Sequence, residues 1–328
     1  MTKTQFFDSV EAARAHIDAT DETVPSFADG IRGVDLGDNA ATMAFLTPQL
    51  LRVEQAVYMA KYPDANYAEF VPVDTSGSIW QAGSVFYSGD IVGKAEWFNA
   101  ASDDMPYADF SKTQFLQENH MAAIGYKWNR QDLERGAQLG QDVLSQKAGA
   151  ATKTAERFIH KVATTGDGVK YTTGFFNDAT HTSIAAGATI AASTPDVIVA
   201  IINAALGKVE VDTKETFQAN TVALPIAVYN DMATRRMTDT NMTVLAYVLA
   251  NSIVPNLTIK KTRHLTTSMK AYANTAEVHR FHLPGGGHQF GPAWQKGSYS
   301  WEVPGIMATG GYECRIPKAV VTSTGVAS

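Results

Sequence analysis

Four histidines and the only cysteine fall late in the chain: His264, His279, His282, His288 and Cys314. These are ligand types a zinc ion takes, and zinc needs three or four of them converging. Their spacing works against convergence. His279 and His282 lie an odd number of positions apart on an expected strand, so they face opposite sides of it. Surface or packed histidines are the plainer reading. Cys314 as a nucleophile would need a histidine base and a lowered pKa. It stands in Tyr312-Glu313-Cys314-Arg315-Ile316, a strand-like alternation in which a small buried residue is the default. A metal-dependent or thiol enzyme built on these residues stays open as an alternative. No catalytic, cofactor-binding or metal residue is assigned, and no cofactor is expected.

Two glycine-containing stretches invite a phosphate reading and fail it. From Gly291 to Ser298 the lysine, Lys296, precedes the second glycine, Gly297, whereas a phosphate loop needs it to follow. Gly285-Gly286-Gly287 is not followed by a helical pattern, so it reads as a bend and not as a dinucleotide fingerprint. No serine occupies a Gly-x-Ser-x-Gly elbow.

Composition narrows the class further. The chain has 328 residues, 45% of them hydrophobic, with 27 basic and 33 acidic side chains for a net charge of −6. That length serves one large domain or two modest ones. The densest basic stretch, Lys260, Lys261, Arg263 and His264, is too short for a nucleic-acid grip. A chain of this charge fits a container that does not hold DNA tightly. No apolar run is long enough for a bilayer, and Met1–Val10 lacks the pattern of a signal peptide. A fold formed in a cytoplasm is expected, without disulfides.

The elements that must position these residues are mixed. Phe6–Ala19 has helical spacing, and Asp21–Asn39 reads as an extended arm that something else must order. Ala44–Tyr62 predicts a helix ended by Pro63. Val71–Trp128 predicts a long two-stranded ribbon, with strands at Ser84–Tyr87 and Val92–Phe98 and a turn at Ser88-Gly89-Asp90. Its Trp80, Phe86, Tyr87, Trp97 and Phe98 have few places to bury themselves, and an isolated hairpin is marginal in water. Next, Leu133, Ala137, Gly140, Leu144, Ala148, Ala151, Ala155, Phe158, Ile159 and Val162 form one apolar stripe. A single helix over Asp132–Thr164 would run roughly 50 Å, with Gly166 as its cap. A second helix is expected from Pro195 to Leu206, closed by Gly207. Later strands are expected at Thr221–Val228, Leu257–Arg263, Ser268–Asn274, Val278–Leu283, Tyr299–Val303 and Tyr312–Thr322. No regular βαβ rhythm appears, which predicts an α+β fold.

The order arm, helix, ribbon, very long helix, mixed domain and closing strands resembles the major capsid proteins of tailed phages. These share the Hong Kong 97 capsid fold with the encapsulin shells. Local patterns carry the resemblance: Asp104-Met105-Pro106 through Asp109, Gly125-Tyr126-Lys127-Trp128, and Asp132-Leu133-Glu134. Ala155-Glu156-Arg157, Thr165-Gly166-Asp167, Thr173 to Asn177, Leu224-Pro225 and Phe281 to Pro284 continue it. Gly310 through Val320 closes it.

The resemblance implies an architecture: N-terminal arm 1–43, helix and lead-in 44–70, extended β-hairpin loop 71–119, and peripheral domain with spine helix 120–183. An axial domain at 184–294 and C-terminal strands 295–328, returning to the peripheral domain, complete it. It implies a shell that self-assembles from hexamers and pentamers into an icosahedral head around double-stranded DNA, bound without sequence specificity. The chain's main partner would be itself; scaffold, portal or decoration proteins are the further partners of such shells. The shell would be assembled in the host cytoplasm and found in the virion, with no membrane involved. Trp80, Phe86, Tyr87, Lys94, Trp97 and Phe98 are the expected inter-subunit contacts. Lys94 is also where a subunit cross-link would start, although no asparagine partner can be named. An encapsulin-like compartment and a tail or decoration protein are the other readings weighed.

Overall fold

A computed structural model describes residues 62–97, 107–138, 140, 142–237 and 240–327. The expected arm, the helix at 44–62 and Phe98 lie outside these residues or, for Tyr62, at their edge. The chain divides into two compact units. One contains Trp128–Gln146; the other contains Asn66–Lys127 and Lys147–Ser328.

The larger unit opens with a short helix α1 (Tyr67–Phe70) and strand β1 (Val73–Asp74). The ribbon follows as β2 (Gly83–Val92) and β3 (Asp109–Glu118), paired antiparallel from Gly83↔Glu118 to Val92↔Asp109. This corrects two boundaries. The ribbon starts at Gly83 and not at Val71, because β1 pairs elsewhere. Ser88-Gly89-Asp90 is not a turn but the middle of one ten-residue strand. Gly89 is there for space: a Cβ on it would meet the Phe110 ring at 2.1 Å. Phe110 therefore covers the bare backbone, as an aromatic beside a strand glycine does.

Beyond β3 come β4 (His120–Ala123) and β5 (Tyr126–Asn129), which enters the smaller unit. The single helix expected over Asp132–Thr164 is in fact two, α2 (Arg130–Gln138) and α3 (Val143–Thr164). Two residues between them explain the break. Gly140 adopts φ +66°, a left-handed conformation that ends helices. Asp142 then accepts the Ser145 N–H at 3.1 Å, a side-chain N-cap that starts α3. The stripe is buried only in its second half, at Ala151, Ala155, Ile159 and Val162, while Leu144 and Ala137 are exposed. Gly166 caps α3 as expected, at φ +79° with its N–H on the Lys161 carbonyl at 2.9 Å.

The core surrounds a five-stranded mixed sheet. Its strands are β6 (Thr182–Ala185), β7 (Thr221–Pro225), β8 (Thr258–Thr262), β9 (Ser268–Tyr272) and a late β16 (Val320–Thr324), in the order β6-β16-β9-β7-β8. Helix α4 (Pro195–Thr213) packs on it through Ile198, Ile202, Leu206 and Val209. Thr194 gives α4 an extended backbone entry with Pro195 at its first turn, but its side chain makes no cap bond. Gly207 does not close this helix. The apolar stripe continues past it to Val209, and the stop is Lys214 at φ +53°. Helices α5 (Ile226–Thr234) and α6 (Val244–Ala250) follow β7.

Two smaller sheets finish the unit. In one, β1 and β15 (Gly311–Cys314) flank β10 (His279–His282). In the other, β14 (Gly305–Thr309) lies between β4 and β11 (Gln289–Phe290). An antiparallel pair, exposed β12 (Trp294–Gly297) and partly buried β13 (Ser300–Val303), stands between β11 and β14 in sequence. The stretch expected as one strand over Tyr312–Thr322 is β15, a 3₁₀ turn at Pro317–Ala319, then β16. The closing segment 295–328 therefore divides. β14 pairs with β4, and β16 lies between β6 and β9, with Val320 and Val321 fully buried there. Among the described residues no helix is long and apolar enough to cross a membrane.

Candidate assembly surface

Strand alternation sorts the ribbon into two faces. Directly opposed residues share a face, so Val85 with Leu116, Tyr87 with Gln114, Gly89 with Lys112, and Ile91 with Phe110 make one face. It is apolar except for Gln114, Lys112 and, at the root, Glu118 opposite Gly83. Ile91 is 77% exposed, Tyr87 68% and Leu116 61%, and Val85 and Phe110 are about half exposed. Apolar surface so concentrated and uncovered marks an interaction site. The other face is more polar toward its free end: Ser88 is opposite Thr113, Asp90 opposite Ser111, and an exposed Val92 is opposite Asp109.

The ribbon's root is held by its own chain. Phe86 stacks on Phe115 across the two strands, centroids 5.0 Å apart and planes at 15°. The Arg315 guanidinium lies 4.3 Å from the Phe86 centroid, a cation–π contact. The Tyr171 hydroxyl donates to the Glu118 carbonyl at 3.0 Å and contacts the Thr309 carbonyl, and it accepts from the His120 N–H at 3.2 Å. Burial raises the Tyr171 pKa to about 12, so it stays a neutral phenol.

Of the expected contact residues, Tyr87 lies on the apolar face. Trp80 (71% exposed) and Trp97 (fully exposed) stand near the root and near the ribbon's far end. Lys94 is exposed beside Glu96, 3.8 Å away. Phe86 is on the opposite face and is engaged by Phe115 and Arg315 of its own chain. Sequence reasoning missed Val85, Ile91, Phe110 and Leu116. The signal was available: Phe110 and Leu116 sit an even number of positions apart on β3.

The late histidines disperse. His264 meets His160, Nε2 to Nε2, at 2.9 Å, and His160 meets the Arg263 guanidinium at 2.8 Å. Burial and the neighbouring positive charge lower His160 to about 3 and His264 to about 4. His279 is enclosed by Phe175, Tyr272 and Tyr312. His282 faces Glu313 at 2.7 Å, and His288 donates to the Ile124 carbonyl at 2.9 Å. Although His279 and His282 alternate, both are buried, since each face of this strand is covered. Among the described residues no three His, Cys, Asp or Glu side chains gather as metal ligands. Burial pushes the Cys314 thiol up to about 11, the opposite of what a thiolate nucleophile needs.

A buried lysine was not anticipated. Lys270, in the middle of β9, donates to the Phe175 carbonyl at 2.8 Å and to His181 Nδ1 at 2.7 Å. Burial lowers it to about 8 and lowers His181 to about 3, so the imidazole remains a neutral acceptor. This network ties the sheet to the loop after α3. Nothing in the sequence Ser268-Met269-Lys270-Ala271-Tyr272 distinguishes a buried lysine from a solvated one.

Comparison with known proteins agrees with this arrangement. No curated protein matches the chain. A family model described as "Major capsid protein" matches residues 93–326. Among solved structures, the capsid of Myoviridae phage XM1 superposes with TM-score 0.75 at 16% identity, covering 86% of this chain and 98% of that one. The capsid of a native GTA particle gives TM-score 0.59 at 11% identity, covering 88% and 99%. The structure from Microbacterium phage Oxtober96 gives 0.59 at 11%, covering 87% and 99%. With an α+β architecture of this shape, an uncovered apolar ribbon and a family match over most of its length, the chain belongs to the major capsid protein family and has the Hong Kong 97-type fold of tailed-phage shell proteins.

Proposed function

We propose that the chain builds an icosahedral phage head from hexamers and pentamers, and that its ribbon lies with the apolar face on a neighbouring copy. The observation that carries this is Val85, Tyr87, Ile91, Phe110 and Leu116, exposed together on one face of a two-stranded ribbon. Burying such side chains is worth ~1.5–3 kcal/mol each, enough to drive association when repeated round a closed ring. Trp80, Tyr87, Lys94, Trp97 and Phe98 belong to the same contact, with Phe86 anchoring it from the root. In this reading 1–43 is an arm, 44–70 a helix and lead-in, 71–119 the extended loop that carries the ribbon at 83–118, 120–183 the peripheral part and 184–294 the axial part. The residues 295–328 are strands that return to the peripheral part.

The role is structural, and its place is the virion. The shell is assembled in the host cytoplasm around double-stranded DNA, with scaffold, portal or decoration proteins as further partners. A net charge of −6 suits a wall that does not grip its contents. Expressed chain is fractionated by size and imaged by negative-stain electron microscopy. Closed shells, tubes or hexamer sheets support the reading, and shell contents separate a genome container from an enzyme compartment. A stable monomer that stays monomeric with co-expressed scaffold would overturn it.

A further inference from the structure

The ribbon's root also carries a row of charged side chains within the chain itself. At the foot of β2 is a cavity of about 510 Å³, bordered by Ala82–Phe86 on the ribbon side and by Asp74, Arg280, His282, Glu313 and Arg315 on the body side. These side chains alternate in charge. Arg280 Nη1 is 3.2 Å from Asp74 Oδ2, Asp74 Oδ2 is 3.7 Å from His282 Nδ1, and His282 Nε2 is 2.7 Å from Glu313 Oε2. Glu313 Oε2 is in turn 3.2 Å from Arg315 Nη2, and the same guanidinium covers the Phe86 ring. His282 Nε2 is within hydrogen-bond distance of Glu313, whereas Nδ1 stands off from Asp74.

The two roots of the ribbon are fixed differently. The β3 root is tied by neutral hydrogen bonds: Tyr171 to Glu118, and Gln117 Nε2 to the Gly310 carbonyl. The β2 root has one strong side-chain tie to the body, the Arg315–Phe86 contact. Glu313 is 7% exposed, and its Oε1 has no hydrogen-bond partner among the described residues. A buried carboxylate oxygen left unpaired is costly. It is tolerated here where Oε2 serves both His282 and Arg315. Arginine suits the position because its flat guanidinium can bond a carboxylate at its edge and cover a ring with its face.

We propose that Glu313, Arg315 and Phe86 form a lock that fixes the angle at which the ribbon leaves the body. The proposal rests on reading the ribbon as the part laid on a neighbour: the lock presents the apolar face at one pitch before any neighbour arrives. It converts a two-stranded arm with a neutral pivot on one side into a pre-set one. Preorganisation of this kind lowers the ordering cost of each contact.

The test is a distance measurement on the full chain kept unassembled. Spin labels go on Ser88→Cys in the ribbon and Thr266→Cys on the body, both exposed positions. Cys314 is left in place, since partial burial pushes its thiol up to about 11 and it reacts slowly. The wild-type root should give one narrow distance peak. Arg315→Met and Phe86→Leu should each lose it for a broad distribution, and the double variant should be no broader than either single. Arg315→Lys should not restore the peak. Hydrogen exchange of α4 and β9, which the lock does not touch, verifies that each variant is folded; Phe86→Leu decides the matter if Arg315→Met is not. A narrow, unshifted peak in folded Phe86→Leu overturns the lock. Shell formation is read separately on unlabelled wild type, so a chain that makes no shells overturns the capsid reading while the distance result still judges the lock.

Discussion

The ribbon and the centre of the five-stranded sheet use aromatic residues in opposite ways. At the sheet, Phe175 is fully buried and lies within 6 Å, ring to ring, of Phe176, His181, Tyr272, His279 and Tyr312. On the ribbon, Tyr87 and Phe110 stand in solvent, although their strands are just as regular. The strand-to-strand register is thus unbroken on the ribbon as in the sheet, while side-chain burial is complete only in the sheet. A strand pair can be locally satisfied and still carry unspent apolar surface. The core residues determine whether a subunit exists, and the ribbon residues determine whether subunits meet.

The sharpest test is to damage the core. Phe175→Ala should cost ~3–5 kcal/mol, as large-to-small changes at packed aromatics do, and denaturant melts should show it. Shells should fail with it, because the subunit fails. Ile91→Asp should do the reverse, abolishing shells in electron micrographs while leaving the melting midpoint of the free chain nearly unmoved. If Ile91→Asp unfolds the chain, the division between the two regions is wrong.

Between these extremes lies Tyr171→Phe. It removes a hydroxyl that serves Glu118, Thr309 and His120 and should cost ~1–3 kcal/mol by leaving partly buried backbone groups unmet. Calorimetry should record it, with fewer shells as a secondary effect.

The effect that is smallest at neutral pH, and grows only below it, concerns acid. His160, His181 and His279 are lowered to about 3 in the folded chain, chiefly by burial, against an ordinary value near 6.5. Their contribution is complete above 6.5 and is lost as pH falls from there toward 3, because the unfolded chain takes up protons first. Asp74 and Glu313 are also held below the usual carboxylate range, by hydrogen bonds and positive neighbours, and their contribution goes lower still in pH. His279→Phe should flatten the first part of this decline. An unchanged slope in pH-dependent melts would mean that His279 is not a neutral core residue.

Much of this was legible from side-chain types alone. Aromatic and β-branched content announced the ribbon, Pro195 the start of α4, and Gly166 the end of α3. What was not legible depended on partners distant in sequence. Gly89 and Gly140 are both glycines within regular patterns, yet one sits under Phe110 in a strand and the other breaks a helix. Only the φ of Gly140 and the cap from Asp142 distinguish a stop from a gap in the stripe. Gly207 shows the converse: the helix passes through it because the residues beyond still face the sheet. For the assembly surface, aromatic content pointed to Tyr87, Trp80 and Trp97, but not to which face Phe86 would take. The register with β3 puts Phe86 on the face opposite Tyr87, where Arg315, distant in sequence, meets its ring.

The position of β16 between β6 and β9 bears on time as well as on space. The sheet cannot close until residue 320 has left the ribosome, since β6 touches β9 only through β16. Long-range pairings of this kind slow folding, because a large loop must close before the contact is made. During that interval the ribbon, a local hairpin, can already form. A nascent chain therefore passes through a stage in which the sticky part is finished and the body is not, which makes the rate of synthesis and the local concentration of chains controls on how many subunits reach a shell and how many aggregate.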